Sequence, residues 1–169
     1  GQNNDAVVKE IEKVKTEFLK EWMPILTSNE KPINSLRVYW DLLHTVDVKN
    51  TVITHEPGSS RDQLCPIWET LTPRGYLGWG GHSGLGSSLG LTMGAKLARP
   101  ECLAIQVTGD GAFGYNGMDF ETSIREKIPI LTIVNNNLSI SGGAPLSGKY
   151  ADVAEALGVT SRTIENLKK

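Results

Sequence analysis

An open, mainly parallel α/β sheet with helices on both faces is the fold this sequence predicts. Three observations carry it. An apolar run, Leu103-Ala104-Ile105-Gln106-Val107, reads as a buried strand and leads into Gly109-Asp110-Gly111. A second run, Ile128 to Val134, interrupted by Pro129, leads into Asn136-Asn137. Between them Gly117 to Lys127 reads as a short helix carrying Met118, Phe120 and Ile124, with Glu121 and Arg125 as a helical pair. Strand, turn, helix and strand make a βαβ unit, whose parallel strands end on one sheet edge. Asp110 and Asn136-Asn137, 26 and 27 positions apart, should therefore meet where open α/β sheets bind ligands.

Composition narrows the class. The 169 residues suffice for one domain with a core. Seventeen basic and nineteen acidic side chains nearly cancel, which gives no bulk electrostatic case for nucleic acid or a membrane surface. No signal-peptide pattern and no bilayer-length apolar run is present. Cys65 and Cys102 form no metal-spaced pair and read as free thiols in a reducing, cytoplasmic setting.

Taken in order, residues 5–22 set Val7, Ile11, Val14, Phe18 and Trp22 on one helical face, with Asp5 as cap and Pro24 as stop. Residues 25–34 form a polar linker, so residues 1–32 divide off as an N-terminal helix and linker, and 33–169 as one domain. Ser35 is placed to cap a second helix through Leu36, Tyr39, Trp40 and Leu43. Thr51 to Thr54 reads as the first parallel strand. The following loop, His55 to Arg61, fits a phosphate loop or a surface turn equally well. His44 and His55 read as structural or exposed.

Residues 75–94 hold eight glycines interleaved with Tyr76, Leu77, Trp79, Leu85, Leu89, Leu91 and Met93. That mixture predicts backbone packed against something flat, then a helix of small residues through Leu97. After Asn137, residues 138–148 read as a mobile loop able to fold over bound diphosphate. Tyr150 to Leu157 reads as a helix stopped by Gly158, and Val159 to Ile164 as a last strand.

The converging strand ends suggest a chemistry. The Asp110 carboxylate and the Asn137 amide oxygen are hard donors suited to Mg²⁺ or Ca²⁺. Gly111 permits close backbone approach, and N–H groups opening the next helix attract anions. A hard cation beside exposed N–H groups is a diphosphate site. An Asx-turn at Asp110 and a polar loop at 135–137 is the plainer alternative.

Gly-Asp-Gly, 24 residues, Asn-Asn resembles the signature of thiamine-diphosphate enzymes. Ala112-Phe113 and Gly117 to Thr122 resemble the branch of acetolactate synthase, 2-keto acid decarboxylases and oxalyl-CoA decarboxylase, acyl-CoA lyases included. The resemblance covers roughly residues 33 to 165. It implies the diphosphate-binding domain of that fold, with thiamine diphosphate and Mg²⁺ as cofactors. Asp110 and Asn137 would bind the metal by side chain, and Ser139 by its carbonyl. Ser59 and Ser60 would face the diphosphate; Gly109, Gly111, Ala112, Asn137, Ser139 and Ile140 would also line the cofactor. Leu85 would wedge between the two cofactor rings, and the Ser83 carbonyl would accept from the aminopyrimidine. Leu85 also reads as a plain core leucine. His82 is a candidate proton-transfer group to which the resemblance gives no role.

In such enzymes a separate pyrimidine-binding domain supplies the catalytic glutamate. Glu56, Glu69, Glu101 and Glu121 all fall in the diphosphate domain, on the wrong side of the cofactor. The expectation is therefore a fragment or a split subunit, inactive alone, that works with a pyrimidine-binding domain of the same or another chain in a homo- or hetero-oligomer. The implied reaction is lyase or transferase chemistry, making or breaking carbon–carbon bonds of 2-keto acids or acyl-CoA. Two alternatives stand beside it: a non-catalytic paralogue, and a different Mg²⁺-nucleotide module. Against the latter, no Gly-x-x-x-x-Gly-Lys-Ser/Thr is present, and no Gly-x-Gly-x-x-Gly opens a helix after the first strand.

Overall fold

The computed structural model describes residues 4–78, 84–140 and 143–165. Helix α1 spans Asn4–Leu26, α2 Ser35–Thr45 and α3 Ser59–Leu64, with strand β1 at Thr51–His55 between the last two. Strand β2 (Tyr76–Leu77) and helix α4 (Ser88–Ala98) precede β3 (Leu103–Gly109). Helices α5 (Asp110–Asn116) and α6 (Phe120–Arg125), joined by a 3₁₀ turn, lead to β4 (Leu131–Asn135). Strands β5 (Ser139–Ile140) and β6 (Ala144–Pro145) form a separate hairpin, and α7 spans Tyr150–Ala156. The main sheet runs β2-β1-β3-β4, every neighbouring pair parallel.

Helices cover both faces, as expected. On one, Ile53, Ile105, Val107 and Ile133 pack with Leu26, Tyr39, Leu64 and Trp68, under α1, α2 and α3. On the other, α4 lies against β1 and β3, and Leu89, Phe113 and Phe120 gather Met93, Val134, Tyr150 and Leu157. Alternation along each strand sends successive side chains to opposite faces, so Ile133 and Val134 serve different clusters. Beneath α4 the strands present polar groups. Thr54 and Thr92 hydroxyls lie 2.5 Å apart, Gln106 Nε2 donates to Ser88 Oγ at 2.7 Å, and Thr132 Oγ1 donates to Gln106 Oε1 at 2.9 Å.

Several boundaries differ from the sequence reading. Helix α1 does not stop at Pro24. That residue lies in its last turns, where only one N–H bond is lost, and Thr27 N–H still donates to the Met23 carbonyl at 3.0 Å. Asn34, not Ser35, caps α2, its side chain accepting from Leu36 N–H at 3.0 Å. Ser35 instead donates to Gln63 at 2.5 Å. The helix placed at Gly117–Lys127 is α6, Phe120–Arg125, with a separate helix α5 before it from Asp110, and the next strand starts only at Leu131, clear of Pro129. Residues Val159 to Ile164 pair with no strand; Ser161 Oγ donates to the Ala151 carbonyl and Val159 joins the second cluster.

The apolar face of α1 is half used. Val7, Ile11 and Val14 are exposed, while Leu19 and Trp22 pack on the core and Lys15 pairs with Glu69. Among the described residues no helix is long and apolar enough to cross a membrane. Cys65 is exposed and Cys102 buried, both free thiols.

Candidate functional site

Register brings the two motifs together. Gly109 pairs with Asn135 across β3 and β4, so Asp110 and the Asn136-Asn137 turn leave the sheet side by side. Asp110 opens α5 and is 2% exposed. Its Oδ1 accepts from Gly111 N–H at 2.9 Å and its Oδ2 from Ser139 N–H at 3.2 Å. The same Ser139 N–H donates to Asn137 Oδ1 at 3.1 Å, across Leu138, whose φ of 57° lies in the left-handed region. An exposed leucine there is strained by about 1–2 kcal/mol. The kink turns Ser139 back toward Asp110. Asp110, Asn137 and Ser139 are thus one cluster.

The hairpin orients the Ser139 backbone. Ser139 faces Pro145, and Leu146 N–H donates to the Leu138 carbonyl at 2.9 Å. That pattern makes Ser139 and Pro145 a pair without mutual hydrogen bonds, which turns the Ser139 N–H and C=O away from β6. Its N–H finds Asp110, and its carbonyl faces the same way. Within the segment read as a loop, Ser139–Ile140 and Ala144–Pro145 pair as antiparallel strands.

Among the described residues no basic side chain forms an ion pair with Asp110. Its charge is nevertheless felt. Burial, and then the Asp110 carboxylate, push the Tyr150 hydroxyl up from its ordinary value. A nearly buried carboxylate with two N–H donors and no cation is a site suited to a hard metal ion.

The other predicted residues fall around this cluster. Ser60 is 2% exposed, and its Oγ lies 3.6 Å from where a Cβ on Gly109 would stand. Ser59 is exposed at the start of α3, so the loop after β1 is a tight turn into a helix. Ala112 is buried in α5. Ile140 covers Gly111: a Cβ there would meet its Cδ1 at 2.7 Å. Close approach at Gly111 is thus by a side chain of this chain. Leu85 is half-buried in the turn before α4. His82 and Ser83 lie outside the described residues.

Of the described glycines in 75–94, Gly78 packs on a ring, while Gly84, Gly90 and Gly94 have open space where a Cβ would stand. A side chain at Gly78 would run into the His55 imidazole, whose ring lies tilted against Tyr76 with centroids 5.1 Å apart. His55 is buried, so its pKa is lowered. His44 is exposed, its ring against Trp40 at 4.2 Å. Each of the four glutamates has a partner within this chain. Glu69 pairs with Lys15, Glu101 with Arg99, and Glu121 with Arg125, while Glu56 binds the backbone of the α4 loop.

Sequence reasoning missed Glu56, Asn116 and the Tyr39–Asn135 contact. Asn135 Nδ2 donates to the buried Tyr39 hydroxyl, tying α2 to the end of β4 just before the Asn pair. All three bridge elements at least 30 positions apart, and no local pattern announces them.

Known proteins resemble this chain in sequence. Residues 57–142 match the model of the thiamine pyrophosphate enzyme, C-terminal TPP binding domain. A probable acetolactate synthase large subunit of Methanococcus aeolicus is 27% identical over 98% of this chain and 31% of its own length. That of Methanocaldococcus jannaschii is 30% identical over 73% of this chain and 22% of its own. Human 2-hydroxyacyl-CoA lyase 2 is 44% identical over 38% of this chain and 11% of its own. The chain spans about a third or less of these curated relatives. With the matched region reaching from the turn after β1 through the Asp110–Asn137–Ser139 cluster, the chain belongs to the thiamine pyrophosphate enzymes and carries their TPP-binding domain.

Proposed function

We propose that this chain holds the Mg²⁺-diphosphate end of thiamine diphosphate in an enzyme that makes or breaks a carbon–carbon bond of a 2-keto acid or an acyl-CoA. The observation that carries it is the shared Ser139 N–H, which ties the buried Asp110 carboxylate to Asn137 at the sheet's carboxyl edge. The donors fit the metal: one carboxylate, one amide oxygen and the outward Ser139 carbonyl are all hard oxygens, and Mg²⁺ keeps further positions for water and phosphate. Asp110 neutralises part of the cation's charge, Asn137 sets its direction, and the buried Ser60 closes the floor beside Gly109. Ser59, Gly109, Gly111, Ala112 and Ile140 would shape the wall around the diphosphate, Leu85 would wedge between the cofactor rings, and the Ser83 carbonyl would accept from the aminopyrimidine. When bound, thiamine diphosphate supplies the nucleophilic carbon and the electron sink.

Residues 33–169 form the cofactor domain in this reading, and residues 1–32 an appended helix and linker. A pyrimidine-binding domain, in this polypeptide or another, supplies the catalytic glutamate, which makes the working enzyme an oligomer or multidomain protein. Acetolactate synthase-like and hydroxyacyl-CoA lyase-like chemistry both follow from the relatives' names. Two free thiols support a cytoplasmic setting.

The test is titration calorimetry with thiamine diphosphate, with and without Mg²⁺. Binding should be weak and Mg²⁺-dependent, and Asp110→Ala should abolish it with an unchanged circular dichroism spectrum. Equal binding by that variant, or equal binding of ATP or NAD, overturns the proposal. The chain alone should not turn over pyruvate or oxalyl-CoA. Substantial turnover without a pyrimidine-domain partner would place the catalytic glutamate within this chain.

A further inference from the structure

Glu56 follows β1 and is fully buried. Its Oε2 accepts from Gly86 N–H at 2.9 Å, and its Oε1 from Ser88 N–H at 2.7 Å. Asn116 Nδ2 in turn donates to the Gly86 carbonyl at 2.9 Å. Gly86 is therefore held at both its N–H and its C=O. Its φ is +91°, and a Cβ there would meet Tyr115 Cβ at 2.7 Å, so glycine alone suits the turn. A cap for α4 needs no bond to Gly86, which precedes that helix by two residues. Nor does the Asn116 bond serve α4 at all. What the two side chains have in common is Gly86, and the residue immediately before it is Leu85.

We infer that Glu56 and Asn116 are positioning residues that hold Leu85 at a set height against the rings of thiamine diphosphate. The inference rests on the proposal that Leu85 is the ring wedge. Charge-assisted bonds from a buried carboxylate are short and directional, so they hold a loop more tightly than apolar packing does. In Glu56→Gln one oxygen becomes an amide NH₂ that cannot accept, and either Gly86 or Ser88 loses its partner. The turn then relaxes, and Leu85 moves with it. The Asp110 cluster belongs to other strand ends and stays intact.

The experiment is an NMR titration of the full chain with two ligands, Mg²⁺-thiamine diphosphate and Mg²⁺-pyrophosphate, the second lacking rings. Glu56→Gln should weaken the first by about tenfold and leave the second within about twofold, and Leu85→Ala should do the same. Because Glu56 acts through Leu85, the double variant should bind no worse than Leu85→Ala alone. Additive losses, equal losses for both ligands, or a parent that binds the two equally overturn the inference. Should Glu56→Gln fail to fold, Asn116→Ala, which leaves the carboxylate in place, carries the same comparison. The underlying site reading is judged separately: a parent that binds neither ligand, or an Asp110→Ala variant that binds pyrophosphate normally, sinks that reading whatever Glu56 does.

Discussion

On one face of the sheet Ile53, Ile105, Val107 and Ile133 meet Leu26, Tyr39, Leu64 and Trp68; on the other, Thr54, Gln106 and Thr132 meet Ser88 and Thr92. The two faces of the same strands are held by different physics. Apolar packing is strong but non-directional, and it leaves an overlying helix some freedom to slide. The polar face is directional. Every buried side-chain N and O atom among the described residues has a partner, so this network is satisfied rather than frustrated. Its bonds converge on Ser88, the first residue of α4, directly after the turn that carries Leu85. The larger apolar cluster lies on one face, while the other adds to its own apolar cluster a polar network that fixes where a helix begins.

The sharpest way to break that comparison is Ile105→Ala. The residue is fully buried in the apolar cluster, and its truncation should cost about 2–5 kcal/mol in guanidinium unfolding. A loss below about 1 kcal/mol would mean the apolar face is not the main support. Gln106→Ala should cost less, about 1–3 kcal/mol, because it strands the Ser88 and Thr132 hydroxyls. Its signature is local: amide exchange should rise across residues 88–91 more than the global loss explains.

His55 sharpens the comparison, because it places a titratable ring at the carboxyl end of the apolar face. Burial lowers its pKa below 6.5, outweighing the raising effect of its contact with the Glu56 carbonyl. The unfolded chain therefore binds the extra proton first on acidification. The associated stability is complete above about pH 6.5 and is lost as pH falls toward the depressed folded value. Urea midpoints at pH 7 and 5 should show that loss, and His55→Gln should flatten it. The smallest effect belongs to α1: Ile11→Ser and Val14→Ser, at exposed positions, should shift thermal stability by less than about 0.5 kcal/mol.

The βαβ core was legible because both of its signals are local. Alternation and apolar runs marked the strands, and parallel pairing then obliged Asp110 and Asn137 to meet. Signals weakened where tertiary packing overrode propensity. Gly111 and Gly114 hid the start of α5, which holds because Phe113 packs on Phe120 and Tyr150 at 5.6 and 5.2 Å. The Val159–Ile164 pattern looks like a strand, but a strand needs a neighbour; Val159 packs in the second cluster and Ile164 is exposed. Glu56 was dismissed as a catalytic acid, while its use by the Gly86 turn, 30 positions away, was invisible to any local pattern.

The pairing of Gly109 with Asn135 also says where this domain can change length. The interval between Gly-Asp-Gly and Asn-Asn is set by the ladder, not by the count of residues between them. One residue added in the connection at Glu126–Pro129 is taken up by a surface bend, and β4 still ends opposite Gly109. The same residue added inside Leu131–Asn135 turns every following side chain to the other face and carries Asn137 away from Asp110. Insertions and deletions in this stretch should therefore be borne by the helical connection and its turns, with β4 constant in length.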